Sequence, residues 1–288
     1  MLVVDCLMFG ALAAAEAAGW PAAVLVHSAP GAMGAPGGWL ERMLLEAVNG
    51  VRAAAGLAAV ATLWDVWARW PALCTTIPAL DPLAARVPAS FVFVGPVFER
   101  VPASGWRAPW PADDPRPLVL VSFSTNRAWD QAPRIRRTLA ALAGGDYRVL
   151  VATGQADVAG LAVPGDAVLL PYLPHAEILP QVAAVVTHAG HGTVAAALAH
   201  GLPLVCLPNP VGDQPPLAAR VAALGAGRDL DSESASAADI AGAVGAVLTD
   251  PAYAAAARRL AADIAALPGA ATAASRLERL AVVRRAAG

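Results

Sequence analysis

Lysine is absent from this chain of 288 residues, so arginine supplies all 20 of its strongly basic side chains. Against 22 acids the formal net charge is −2, which gives no electrostatic case for nucleic acid. Missing lysine beside abundant alanine reads as genomic bias rather than function. Cysteine is scarce too. Cys6, Cys74 and Cys206 are too few and too scattered for a disulfide framework or a zinc site. Free thiols fit a cytoplasmic protein. Long apolar runs are also missing: mean hydropathy is +0.55, but none approaches the ~18–20 uninterrupted apolar residues of a spanning helix. Met1 to Ala15 is apolar yet carries Asp5 and no base before Arg42, which argues against a signal peptide. Tryptophan disappears after Trp129.

At 57% hydrophobic and 15% charged, the chain can bury a substantial core. Short β-type runs alternate with alanine-rich helical stretches, which predicts an α/β fold with parallel sheets. In residues 1–98 we read strands at Leu2–Cys6, Ala22–Val26, Ala72–Thr76 and Phe91–Val94, with helices at about Gly10–Ala18 and Gly38–Ala55. A proline-rich stretch at 99–117 reads as a linker. The rhythm restarts in 118–288, with strands near Leu118–Ser122, Arg148–Ala152, Val168–Leu170, Ala184–His188, Leu204–Leu207 and Gly227–Leu230. Three helices, from about Ala237, Pro251 and Ala271, close the chain. The second domain reads as a complete doubly wound Rossmann-like unit; the first reads as short of strands.

The strongest local signal is Val186-Thr187-His188-Ala189-Gly190-His191-Gly192-Thr193, followed later by Asp213-Gln214. It reads as a strand entering a glycine turn that opens a helix, where unpaired N–H groups and the positive helix end can take a phosphate. In open α/β sheets ligands bind at the carboxyl ends of strands, where the strand order switches. Four loops meet that description: Ser122-Phe123-Ser124-Thr125-Asn126, Tyr172-Leu173-Pro174-His175, His188 to Thr193, and Pro208 to Gln214. His191 and His200 read as a helix-start residue and an exposed turn residue. Asp229-Leu230-Asp231 reads as a strand end and a solvated turn rather than a metal site.

The octapeptide Tyr172 to Leu179, the His-Ala-Gly-His-Gly-Thr turn and Asp213-Gln214, in that order, resemble the signature of family 1 glycosyltransferases. The likeness is greatest to the bacterial macrolide and antibiotic enzymes. It implies the GT-B fold, two facing Rossmann-like domains, and inverting transfer of a sugar from a nucleoside diphosphate without a metal or other cofactor. It further implies that Tyr172 stacks on the base of a UDP- or dTDP-sugar, with His175 beside it. His188, the Gly190 turn, and the Gly192 and Thr193 amides would hold the diphosphate, with Ser124 and Thr125 on the first phosphate-side loop. Asp213 and Gln214 would bind sugar hydroxyls. Four or five such contacts plus stacking could reach the ~8 kcal/mol of a micromolar ligand.

The resemblance also implies a catalytic histidine on the loop after the first strand of the N-terminal domain, oriented by an aspartate. Leu2-Val3-Val4-Asp5-Cys6-Leu7 matches the aspartate's segment, so Asp5 is the catalytic candidate. Its histidine would lie before Met1, which makes the first domain truncated and leaves Leu2–Cys6 an unpaired apolar edge. His27 follows a different strand, in a region resembling the acceptor-pocket loop, and is not assigned to the base from sequence. Trp64, Trp67 and Trp70, three apart, read either as a wall of an apolar acceptor pocket or as core. The expected partners are the nucleotide-sugar and a small hydrophobic acceptor, with no membrane span. Two other readings stand beside transfer: a non-catalytic nucleotide-sugar-binding protein, and a sugar-nucleotide epimerase, for which only Asp213 offers a carboxylate.

Overall fold

The computed structural model describes residues 1–98, 105–123 and 129–285. The chain divides into two compact units, Met1–Phe98 with Asp263–Gly288, and Glu99–Ala262. The expectation of one domain over 118–288 therefore differs at its end. The physical reason is close backbone approach: a Cβ on Gly95 would strike the Leu267 carbonyl, and one on Gly269 would strike Pro96. Gly95 has φ 91°, so glycine is required there on two counts.

The first unit runs β1 (Leu2–Asp5), α1 (Phe9–Ala17), β2 (Ala22–Val26), α2 (Pro30–Met33), α3 (Trp39–Ala54), α4 (Leu63–Trp67), β3 (Ala72–Cys74) and β4 (Phe91–Phe93). Its four strands are parallel and lie in chain order. Among the described residues β1 pairs only with β2, and Leu2 and Val3 are exposed. The tryptophan triplet resolves to core, since Trp64, Trp67 and Trp70 are all buried. Trp67 donates its indole N–H to the Cys6 carbonyl at 2.8 Å, and a Cβ on Gly34 would enter its ring. Trp70 lies beyond α4, because it precedes Pro71 and a residue before proline is biased out of helix. The buried Arg52 guanidinium is held by Glu16 at 2.7 and 3.1 Å and by the Ala58 carbonyl at 2.8 Å, tying α3 to α1.

The second unit contains β5 (Leu118–Ser122), α5 (Ala132–Leu142), β6 (Arg148–Ala152), β7 (Ala167–Leu170), α6 (His175–Ile178), β8 (Ala184–Thr187), α7 (His191–Ala199), β9 (Leu204–Cys206), α8 (Gln214–Ala223), β10 (Gly227–Asp229) and α9 (Ala237–Thr249). Helix α10 (Pro251–Ala265) follows, and α11 (Gly269–Arg285) ends the chain. All six strands are parallel, in the order β10-β9-β8-β5-β6-β7. Apolar strands such as Leu118–Ser122 are buried throughout, as a sheet covered on both faces requires. The chain runs outward from β5 to β7, then returns to β5's other side at β8. That reversal places the topological switch point between β5 and β8. No single helix among the described residues is long and apolar enough to cross a membrane; the bent pair Ala237–Thr249 with Pro251–Ala281 passes only jointly, across a 71° break.

Candidate functional site

Ser122 ends β5 and pairs in register with Thr187, which ends β8 and pairs in turn with Cys206 of β9. The mouth of the switch point is therefore built from Ser122, Thr187, His188 and the loop after β9. His188 is 9% exposed, and its Nδ1 has no hydrogen-bond partner. Thr187 Oγ1 and the Nδ2 of the buried Asn209 are likewise unpartnered. An unsatisfied buried polar group costs about 1–3 kcal/mol. These three residues lie at or just beyond the carboxyl ends of adjacent strands, where open α/β sheets take their ligands.

The turn itself is built around the His188 ring. Ala189 has φ 62°, the left-handed region that an alanine adopts only at a cost. Gly190 follows with an ordinary backbone, φ −62° and ψ 135°, so it is not needed for conformation. It is needed for space, because a Cβ there would lie 2.5 Å from His188 Nε2. No side chain caps α7, whose first turn contains His191, Gly192 and Thr193. The amides of that turn carry the positive end of the helix.

Electrostatics at the mouth are cationic but restrained. Burial pushes His188 down to about 4, and the Arg134 charge adds to this; the Ser122 backbone and the Asp213 carboxylate oppose it. His188 is therefore neutral at pH 7 and offers an N–H rather than a charge. Arg134, in the first turns of α5, sits with its guanidinium 5.4 Å from the Phe123 ring centre and donates to Gln131 Oε1 at 2.8 Å. Its Nε is buried without a partner, and burial with the Arg137 charge pushes the group down to about 10. Sequence reading missed both Arg134 and Asn209, since nothing in an arginine-rich helix or a lone asparagine signals the strand ends they face.

Other expected residues fall around the same mouth. His175 opens α6, and its Nε2 lies 3.2 Å from Ser122 Oγ; burial lowers its pKa. Tyr172 is 67% exposed, leaving a ring face open to a ligand. Asp213 is the N-cap residue of α8, and its charge reaches His188. Gln214 is partly committed, because its Oε1 accepts the Asn209 N–H at 3.0 Å while its amide nitrogen keeps two protons. Ser124 and Thr125 lie outside the described residues. Asp231 accepts the Glu233 and Ser234 N–H groups in a turn after β10, in keeping with the solvated-turn reading. His200 is exposed, its Nδ1 2.9 Å from the Ala196 carbonyl.

Asp5 lies in the first unit, and it has a partner. Its Oδ2 is 2.7 Å from His27 Nδ1, and its Oδ1 accepts the Leu7 N–H at 2.9 Å. Asp5, Cys6 and His27 also bring one potential metal-ligand atom each within 4.8 Å of one another. Burial and the Asp5 charge push the Cys6 thiol up to about 12, so it stays protonated and is a poor ligand. An open cleft of about 450 Å³ beside β10, lined by Arg228, Asp229, Asp250 and Tyr253 among others, shares no residue with the His188 turn.

The two sheets and the switch-point site place the chain in the GT-B class. The calicheamicin glycosyltransferase CalG4 matches all of this chain and 76% of its own, with a TM-score of 0.76 and 26% identity. VinC, a glycosyltransferase solved in complex with DTDP, matches in fold over 97% of this chain and 71% of its own, with a TM-score of 0.70 and 23% identity. Residues 136–280 match the erythromycin biosynthesis protein CIII-like C-terminal domain, and the chain belongs to that glycosyltransferase family. Among named relatives, 4'-demethylrebeccamycin synthase of Lentzea aerocolonigenes is 35% identical over 65% of this chain and 44% of its own. O-mycaminosyltylonolide 6-deoxyallosyltransferase of Streptomyces fradiae is 35% identical over 64% and 44%. The chain thus spans about half the length of the curated relatives it matches.

Proposed function

We propose that the chain binds a UDP- or dTDP-sugar at the mouth of β5, β8 and β9 and moves its hexose to a hydroxyl of a small hydrophobic natural product. Transfer inverts the anomeric carbon and uses no metal. The observation that carries this reading is the set of unpartnered polar atoms of Thr187, His188 and Asn209 beside the uncapped start of α7. Tyr172 stacks on the base, with His175 at its edge. His188 and the Gly192 and Thr193 amides bind the diphosphate, and Ser124 and Thr125 are further ligands of it. Asp213 and the Gln214 amide hold sugar hydroxyls. Donors fixed in place before reaction stabilise the charge that gathers on the departing diphosphate. Relatives named as transferases of natural products, and the DTDP complex of VinC, support the donor and acceptor classes.

The test is turnover of UDP-glucose and dTDP-glucose with a panel of macrolide and phenolic alcohols. Product with inverted configuration, formed in the presence of chelator, is expected. Tight binding of the nucleoside diphosphate with no transfer to any alcohol would instead favour a nucleotide-sugar-binding protein.

A further inference from the structure

A nucleoside diphosphate brings several negative charges, yet none of the residues that the resemblance gives it carries a permanent positive one. His188 is neutral at pH 7, and Asp213 is itself an acid. Lysine is absent, so a side chain that supplies the counter-charge is an arginine. Arg134 stands in the first turn of α5, with its guanidinium 5.4 Å from the centre of the Phe123 ring. Phe123 directly follows the last residue of β5. The charges that act on the His188 ring, just beyond β8, are those of Arg134 and Asp213. The Arg134 cation therefore sits at the switch point between β5 and β8, where open α/β sheets take their ligands.

Folding alone does not account for this side chain. Among the described residues it makes one hydrogen bond, to Gln131 Oε1 at 2.8 Å, and no carboxylate pairs with it. Its Nε–H is buried without a partner, although a guanidinium has five donors to place. Burial and the like charge of Arg137 both oppose the charged form, and an anion beside it relieves both. We propose that Arg134 is the counter-charge of the donor's diphosphate, giving its guanidinium N–H groups to the phosphate oxygens. This rests on the transferase reading above and adds a residue that the resemblance does not imply. Phe123 is the positioning residue, since its ring supports the guanidinium. The planar fork of an arginine suits a phosphate better than the point charge of an ammonium.

The test titrates the full chain, as wild type, R134M and R134K, with the diphosphate, the monophosphate and the bare nucleoside of uridine and thymidine. R134M is expected to raise the Kd of the diphosphate about 10- to 150-fold. It should raise that of the monophosphate less and leave that of the nucleoside unchanged. Added salt should weaken diphosphate binding by the wild type and R134K more than by R134M. One readout needs no substitution: the Nε–H proton of Arg134 in the wild type should shift with the diphosphate and not with the nucleoside. An unchanged diphosphate Kd in R134M, an equal loss for diphosphate and nucleoside, or an Nε–H proton that does not shift would overturn the proposal and leave the transferase reading standing. A wild type that binds neither UDP nor dTDP sinks the transferase reading, and this inference with it.

Discussion

Replacing Gly190 with alanine tests the donor site through a single steric contact. The Gly190 backbone suits any residue, so the substitution introduces no conformational strain. The new methyl would lie 2.5 Å from His188 Nε2 and 2.9 Å from Cε1, distances that force the imidazole to move. A displaced ring loses its hydrogen bond to the diphosphate, about 1.5–3 kcal/mol for a bond to a charged group. The Kd should therefore rise about 10- to 150-fold, and H188A alone should cause a rise of the same size. The combination decides the matter. If the methyl acts only through the ring, G190A in the H188A background costs nothing further, giving a coupling energy of about 1.5–3 kcal/mol. Isothermal calorimetry with UDP and dTDP reads all four corners, with circular dichroism confirming the fold. Wild-type affinity in G190A, or two losses that simply add, would refute the role given to His188.

His188 itself supplies a pH prediction. Its folded value, pushed down to about 4, lies below the ~6.5 of an unfolded histidine. Its contribution to stability is thus complete above about pH 6.5 and is lost as pH falls toward 4, to a limit of about 3 kcal/mol. Proton NMR of the ring should show the low titration; a midpoint near 6.5 would contradict it. R134M should raise that midpoint by removing a neighbouring charge, and an unmoved midpoint would place Arg134 elsewhere. A bound diphosphate should raise it too, so calorimetry near pH 5 in buffers of differing ionisation enthalpy should register proton uptake. In the first unit, Glu16→Ala strands the buried Arg52 and should cost about 3 kcal/mol in urea unfolding. Arg52 holds the Glu16 carboxyl below its usual range, so this ion pair stabilises at neutral pH and fades as acid protonates Glu16.

The second sheet was legible because apolar runs such as Leu118–Ser122 and Ala184–His188 have one reading. The Asp5–His27 pair was not legible. It depends on β1 and β2 being neighbours in a given register, and on a ring torsion, neither of which is local in sequence. Asn209 escaped notice because its importance lies in a bond it fails to make. The sequence pattern points Gln214 at sugar hydroxyls and does not show that half its amide is spent on the Asn209 N–H, a turn geometry that composition does not reveal. The tryptophan spacing allowed a pocket or a core, and only packing separates them. The last helices were read with the domain before them, since helical periodicity says nothing of which neighbour a helix meets.

The proposed function requires a nucleoside diphosphate to dock at the His188–Thr193 turn. Amide chemical-shift mapping of the wild-type chain during titration with dTDP and with UDP tests this directly. Saturable changes centred on Ser122, Tyr172, Gly192 and Thr193 are expected. Changes centred instead on Arg228, Asp250 and Tyr253, in the cleft beside β10, or no saturable change with either nucleotide, would contradict it.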